Sequence, residues 1–395
     1  STDRIAQSLA GDDEDSVSFP DELEDIIGLI ISFLSDKDTV VRWSAAKGVG
    51  RITMRLTKAL AADVLQAVLS LFEDASADMN WHGGCLAIAE LSRRGLLLPE
   101  QLGPVVEVIN QGMRFDLLRG QHSVGAHVRD AACYVCWAFA RAYSSTDLAS
   151  FGNSLFENML VTSLFDREVN CRRAASAALQ EFVGRQGHEH FSHSLTIISI
   201  ADFFAVGNRT SAYLELSTQI AALDAKYHTL FTEHLCTEKF NHWDDEVRLL
   251  SARGVTRLFM MPGALVTHQA SFVKYMEAML VSVTNARLAE RHGSLLVLSC
   301  ALLCSIACPE LFPATFLSQL DTTLCTADKL RLFRGKGGEQ VREAYCNLLQ
   351  TVARIKLKLP LKSQVALVEM VNDQLRQPHE AVQRAAQQAL RMMLF

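Results

Sequence analysis

The densest set of ligand-type side chains in the sequence is His188-Glu189-His190-Phe191-Ser192-His193. Imidazole is a common zinc ligand, which makes this run a metal-centre candidate. The metalloprotease pattern HExxH puts two histidines four apart on one helix face, with a glutamate as base. His188 and His190 are two apart and would diverge on a helix, and no cysteine pair lies nearby. A loop could still gather them; a polar inter-helix loop is the simpler expectation. Cys133-Tyr134-Val135-Cys136 has the spacing of a redox dithiol, which needs a helix start to stabilise its thiolate. It follows Val128-Arg129-Asp130-Ala131-Ala132 inside an apolar helical run, where a thiol packs as a small hydrophobe. Cys300, Cys304 and Cys308 recur every four residues, a helix stripe that splays ligands too far for one tetrahedral ion. Arg334-Gly335-Lys336-Gly337-Gly338 suits a phosphate, but it lacks GxxxxGK[ST] and a preceding strand. It reads as a basic turn whose Arg334 and Lys336 could touch a partner. No nucleophile–base order can be picked without a strand–turn context. The expectation is a chain with no catalytic residue, no metal and no cofactor.

The elements that carry these residues are helices. The chain has 395 residues, 49% of them hydrophobic, with only 8 prolines. Such a composition excludes wholesale disorder. Proline breaks helix interiors, so its scarcity in a Leu/Ala-rich chain favours helix. An α/β fold would need β-branched runs alternating with helices. The one candidate run is Leu195-Thr-Ile-Ile-Ser-Ile200.

The strongest signal is internal repetition. Asp38-Thr-Val-Val-Arg42-Trp-Ser-Ala45-Ala46-Lys-Gly48-Val49 has the form of the second helix of a HEAT repeat. Similar segments place Asn80, Arg129, Asn170, Arg248, Glu290, Arg342 and Gln383 at the position of Arg42, separated by 38, 49, 41, 78, 42, 52 and 41 residues. The interval of 78 predicts a hidden repeat near 209. HEAT units run about 40–47 residues, so about nine fit. The expected fold is an all-α HEAT/armadillo-like solenoid continuous over 20–395, with insertions near 100–128 and 310–338. In the first unit Leu23, Ile26, Ile27, Ile30 and Leu34 form one stripe, and Val41, Ala45, Val49, Ile52 and Leu56 a second. Asp38 should cap the second helix, and Ala45, Ala46 and Gly48 let the pair approach closely. Neither stripe can be buried by one unit alone, so neighbours must cover them, stitched by contacts of Asp38 with Arg42-type residues.

Charge is uneven. Residues 1–25 hold nine acids and one base, and the other 370 hold 37 bases against 35 acids. Residues 1–19 are therefore expected to be an acidic, disordered leader. No overall basic footprint for nucleic acid is present. Residues 321–395 carry twelve Lys/Arg against seven acids, a weak hint of an acidic partner outweighed by the reading as solvated faces. Residues 293–308 lack charge but are short of a membrane span and read as a buried core helix. Residues 1–10 do not read as a signal peptide, and with no initiator Met the chain reads as a fragment. Cysteines within apolar helices suit a reducing, cytosolic chain without disulfides.

Partner contacts are expected where loops interrupt the repeat. Arg114, Arg119, His122 and His127 surround the first insertion, with Asp116 and Arg129 beside them. Trp81 and His82, in Asn80-Trp81-His82-Gly83-Gly84, are unusual for a repeat helix, and Arg93 and Arg94 end the same segment. The indole could face a partner, or fill the space that the glycines leave.

The runs 79–99 (MNWHGGCLAIAELSRRGLLLP), 122–137 (HSVGAHVRDAACYVCW) and 165–176 (FDREVNCRRAAS) resemble the tubulin-specific chaperone D family, also called the tubulin-folding cofactor D family. ADFFAVGNR at 201–209 and Arg334-Gly-Lys-Gly-Gly338 are similar to it as well; elsewhere in 210–395 only the repeat skeleton and short islands agree. The resemblance implies a middle portion of a longer HEAT-rich scaffold. It implies capture of β-tubulin, assembly of the αβ-tubulin heterodimer, and stimulation of GTP hydrolysis on tubulin together with cofactors C and E. An Arf-like small GTPase is implied as a further partner. The implied location is cytoplasmic, with microtubule or centrosome association. The family carries no catalytic motif to place on these residues. The alternatives are a HEAT adaptor of another class, such as a transport receptor or phosphatase scaffold, and an enzyme built on His188/His190/His193 or Cys133/Cys136.

Overall fold

The computed structural model describes residues 22–120 and 122–394. The acidic leader expected over 1–19 lies outside the described residues. Contacts divide the chain into two compact units, one up to Arg209 and one from Thr210 onward.

In the first unit, α1 (Glu22–Ser32) opens with Glu22, Glu24 and Asp25, which suit the positive end of a helix. α2 (Thr39–Thr53) is capped by Asp38, whose carboxylate accepts the Val40 N–H at 2.8 Å. α3 (Lys58–Leu69) is capped by Thr57. Then come α4 (Asp78–Arg93) and α5 (Leu102–Gly112). A short hairpin follows, β1 (Leu117–Arg119) with β2 (His122–Val124), pairing Leu117 with Val124 and Arg119 with His122. The unit continues with α6 (Ala126–Ala142), α7 (Gly152–Phe165), α8 (Val169–Gln186) and α9 (Ser194–Ile200). α2, α4, α6 and α8 stack each on the next as an inner layer, and α1, α3, α5 and α7 pack outside them. The β-branched run at 195–200 is helical, so it supplies no strand.

α4 is buried along most of its length, and its glycines allow this. A Cβ on Gly83 would lie 1.9 Å from the Leu34 carbonyl oxygen, and one on Gly84 would lie 2.5 Å from the Phe72 ring. A side chain at Gly83 would force backbone to move, and one at Gly84 would displace the buried Phe72 ring.

The second unit repeats the two-layer plan. It opens on a helical run through the π-turn Ala212–Leu216 and the turn Ser217–Ala221, at the hidden repeat expected near 209. α10 (Ala225–His234) and α11 (Asp245–Phe259) are capped by Asp224 and Asp244. α12 (Gln269–Ser282), α13 (Leu288–Ala301), α14 (Ala314–Thr326), α15 (Gly338–Arg354), α16 (Leu361–Gln374) and α17 (Glu380–Leu394) complete it. α11, α13, α15 and α17 form its inner layer. Leu288–Ile306 is long and apolar enough to cross a membrane by composition, but 67% of it is buried inside the unit, as befits a core helix.

The arginines of the repeated Val-Arg pairs do stitch neighbouring units, but not by the route expected. Asp38 is used as a cap, and Arg42 reaches elsewhere. Its Nε donates to His82 Nδ1 at 2.8 Å, and Nη1 donates to the Asp36 and Lys37 carbonyls. Arg248 repeats this in the second unit: Nε to His292 Nδ1 at 2.9 Å, and Nη1 to the His242 and Trp243 carbonyls. Each histidine is followed by a glycine pressed on a carbonyl of the preceding element, Gly83 on Leu34 and Gly293 on Phe240. Arg129 alone of these finds a carboxylate, pairing with Asp166 through Nε at 2.6 Å and Nη2 at 3.2 Å. Arg172 bonds four carbonyls, those of Asp166, Arg167, Val206 and Gly207.

An imidazole that accepts from a guanidinium must be neutral. Burial, then Arg42 and His127, push His82 down to about 3. Burial, then Arg248, push His292 to about 3. His228, buried and stacked on His268 at 4.1 Å, is lowered to about 4 by burial and by that neighbour. In the unfolded chain a histidine titrates near ~6.5. Their stabilising contribution is therefore full above ~6.5 and is lost as the pH falls toward the folded values. At pH 5 each should lose about 2 kcal/mol relative to neutral pH. Denaturant midpoints at pH 7 and pH 5 measure this. A His82→Asn/His292→Asn variant, whose amide oxygens can accept the same N–H, should lose much of the acid sensitivity; an unchanged pH slope would refute the assignment.

Candidate partner-binding groove

Residues of α2, α4, α6 and α8 enclose a groove of about 480 Å³. Its aromatic side chains are Trp43, Tyr134 and Trp137, each half-buried. They arise from helical spacing. On α2 the core takes Ala45, Ala46 and Val49, which turns Trp43 and Lys47 outward. On α6 the core takes Ala131, Ala132, Val135, Cys136 and Phe139, which turns Tyr134, Trp137 and Arg141 outward. Trp43 and Tyr134 rings lie 5.5 Å apart, and Tyr134 and Trp137 stack at 5.7 Å. Ala174, Ala177 and Ala178 of α8 leave the far wall low.

Each of these aromatics has a cation. Lys47 Nζ sits 6.0 Å from the Trp43 ring centre, and the Arg141 guanidinium 4.8 Å from that of Trp137. Arg93 Nη1 donates to the Tyr134 hydroxyl at 3.0 Å. Such cation–π contacts contribute about 0.5–1 kcal/mol at exposed sites and hold the rings in place. Trp, Tyr and Arg are also the residues that most often dominate binding energy at protein interfaces.

At the opposite end the groove meets His82 and His127, with rings 5.1 Å apart. His127 Nε2 lies 3.2 Å from Asp78 Oδ2. His127 is lowered from its ordinary value by burial, against the opposing pull of Asp78.

The structure separates the residues picked from sequence. His82 and His127 line the groove, and Arg93 reaches it only through the Tyr134 hydroxyl. Trp81 does not: its ring is enclosed between Phe72 and Phe115, each 5.1 Å away, and Nε1 donates to the Asp74 carbonyl at 3.0 Å. The reading of Trp81 as a partner contact is thereby corrected; the indole fills the space beside the glycines. His82 is likewise buried, with its Nδ1 occupied by Arg42. Arg94 pairs with the buried Glu90 at 3.0 Å, and Arg93 meets the same carboxylate at 3.2 Å. Arg114 bonds Asn158 on α7, on the outer layer. Arg119, on the hairpin, reaches back to Asp78 at 2.8 Å and to the Ser76 carbonyl, while His122 is exposed on its other strand. Arg334 and Lys336 are exposed in the second unit, in a turn that uses positive φ at Gly335 and Gly337.

The chemistry-bearing motifs do not converge. His188, Glu189 and His190 form an exposed 3-10 turn, and among the described residues no group of three His/Cys/Asp/Glu could hold a metal ion. Cys133 and Cys136 are buried free thiols; burial raises Cys133 well above its ordinary value and takes Cys136 to about 12. A dithiol kept so fully protonated is a poor nucleophile.

Known proteins place this architecture. The sequence profile of the family described as "Tubulin-specific chaperone D-like, ARM repeats" matches residues 2–195. The Tubulin-specific chaperone D of Dictyostelium discoideum is 36% identical over 341 residues, 82% of this chain and 22% of that protein. The chain belongs to the tubulin-specific chaperone D family. The Tubulin-folding cofactor D of Schizosaccharomyces pombe is 32% identical over 250 residues, covering 60% of this chain and 22% of its own length. The chain thus spans about 22% of the length of these family members. All the groove residues named above fall within the span matched by the family profile. Among solved structures, that of Kap121p bound to Ste12p aligns with 93% of this chain and 44% of its own at 11% identity and a TM-score of 0.35, a likeness too loose to bear on function.

Proposed function

We propose that this chain is a non-catalytic scaffold segment of a tubulin-folding cofactor. It binds β-tubulin and supports its joining to α-tubulin. GTP hydrolysis is stimulated on tubulin, together with cofactors C and E, and an Arf-like small GTPase is a further partner. The work is done in the cytoplasm, at times beside microtubules or centrosomes. The observation that carries the reading is 36% identity across 82% of the chain to a protein named for tubulin-specific chaperone activity. The aromatic groove supports it, because a protein that acts by holding another needs an exposed, preorganised surface with large anchors. Binding of that kind selects one conformation of the partner. Immobilised chain should retain β-tubulin and an Arf-like GTPase from a mixture of the purified proteins. Recovery of neither would overturn the reading.

A further inference from the structure

We infer that the groove between α2, α4, α6 and α8 binds an extended acidic peptide segment through one apolar or aromatic anchor. The groove-side stripe of each inner helix passes from groove lining to charge within about two turns. On α2 it runs Trp43, Lys47, Arg51; on α4, Leu86, Glu90, then Arg93 and Arg94; on α6, Trp137, Arg141; on α8, Ala177, Glu181, Arg185. Side by side, these turns form a row of six cations along one edge of the groove. Two carboxylates answer them. Glu90 serves Arg93 and Arg94, and Glu181 serves Arg141 and Arg185, each of the latter at 2.9 Å. Each carboxylate is shared by two guanidiniums, so the row keeps a surplus of positive charge beside three half-exposed aromatic rings.

Lys47, Arg93 and Arg141 are in contact with the rings themselves, so an anchor seated among the rings lies within reach of a carboxylate at the row. The other end of the groove bears Asp130. That acid disfavours a run of phosphates laid along the whole groove. The alanine wall of α8 leaves room for a side chain rather than a stacked series of bases. An acidic peptide with a single bulky residue fits both ends. The inference rests on the groove being a contact surface and not on tubulin being the partner.

The test uses the intact chain and a labelled peptide with four glutamates on one side of a single phenylalanine and uncharged residues on the other, followed by fluorescence anisotropy. Binding should weaken as salt rises from about 50 to about 500 mM. It should fall about tenfold or more in Trp137→Ala and in Arg141→Glu. Arg141 is exposed, so the charge reversal leaves the core intact, and Lys47→Glu on α2 is an independent second reversal. Replacing the peptide's glutamates by glutamine, or its phenylalanine by glycine, should abolish binding. Equal binding of the glutamate and glutamine peptides, no effect of the three variants, or tighter binding of a single-stranded oligonucleotide would each overturn the proposal. β-Tubulin retention is read separately: loss of retention with peptide binding kept would reject the tubulin reading and leave this one standing.

Discussion

Alanine at Gly83 or Gly293 should lower stability by about 3–4 kcal/mol, toward the upper end of what overpacking costs. The cause is a backbone collision, which side-chain rotation cannot relieve. The new Cβ would sit 1.9 Å from the Leu34 carbonyl oxygen at Gly83, and 1.7 Å from that of Phe240 at Gly293. Relief requires an inner helix to move off its neighbour, which pulls His82 from Arg42 or His292 from Arg248. Gly184 is the control. It lies within α8 with nothing within 4 Å of its Cβ position, so alanine there should stabilise by about 0.5–1 kcal/mol. Urea unfolding of the three variants measures the contrast. Gly83→Ala and Gly293→Ala within 1 kcal/mol of the parent, as an order-of-magnitude threshold of about 1, would mean that the close approaches are not structural requirements.

The second large effect concerns the buried ion pair between α6 and the entry to α8. Asp166→Ala should destabilise by about 3 kcal/mol, because it leaves the buried Arg129 charge with only the more distant Asp116 carboxylate, 3.9 Å from Nη1. Arg129 keeps one bond, from Nη1 to the Phe115 carbonyl at 2.7 Å, but loses its partner at Nε and Nη2. Burial by itself would lower the Arg129 pKa; Asp166, Cys171 and Asp116 together outweigh it and hold the guanidinium above its ordinary value. The same carboxylate also accepts the Glu168 N–H at 2.7 Å, so its loss loosens the start of α8. Adding Arg129→Met to Asp166→Ala should recover much of the loss, since removing both charges costs less than stranding one. A double variant no more stable than the single one would show that the pair acts through something other than charge.

The repeat made the fold legible before any coordinates. A two-helix unit that cannot bury its own stripes has to stack, and the Val-Arg positions marked the inner helices correctly. The hairpin at 117–124 carried no such mark, being two three-residue strands around Gly120. The partner of Arg42 was misread because aspartate at the turn is good both as a cap and as a counter-ion. The cap won, since Asp38 bonds its own helix start, and the guanidinium passed to a histidine 40 residues on. The duplicated His-Gly pairs at 82–83 and 292–293 were the available sign of that link.

The groove was only partly legible. The insertion pointed to His127 and the unusual Asn80-Trp81-His82 helix start to His82, and both line the groove, whereas Trp43, Lys47, Tyr134, Trp137 and Arg141 carry no such mark because they sit mid-helix. The signal was present as an aromatic followed four residues later by a cation, at 43/47 and 137/141, on the face opposite the alanines. Trp81 showed the converse: its rarity in a repeat helix came from packing against two other rings, not from exposure.

The most direct measurement is a calorimetric titration of β-tubulin into the chain and into its Trp43→Ala/Trp137→Ala variant. Two large anchors removed from a groove that holds the partner should weaken binding by about a hundredfold or more. Circular dichroism of the variant verifies its helices beforehand. β-Tubulin binding with the same affinity to both proteins would contradict the account, because the groove would then have no part in holding the partner.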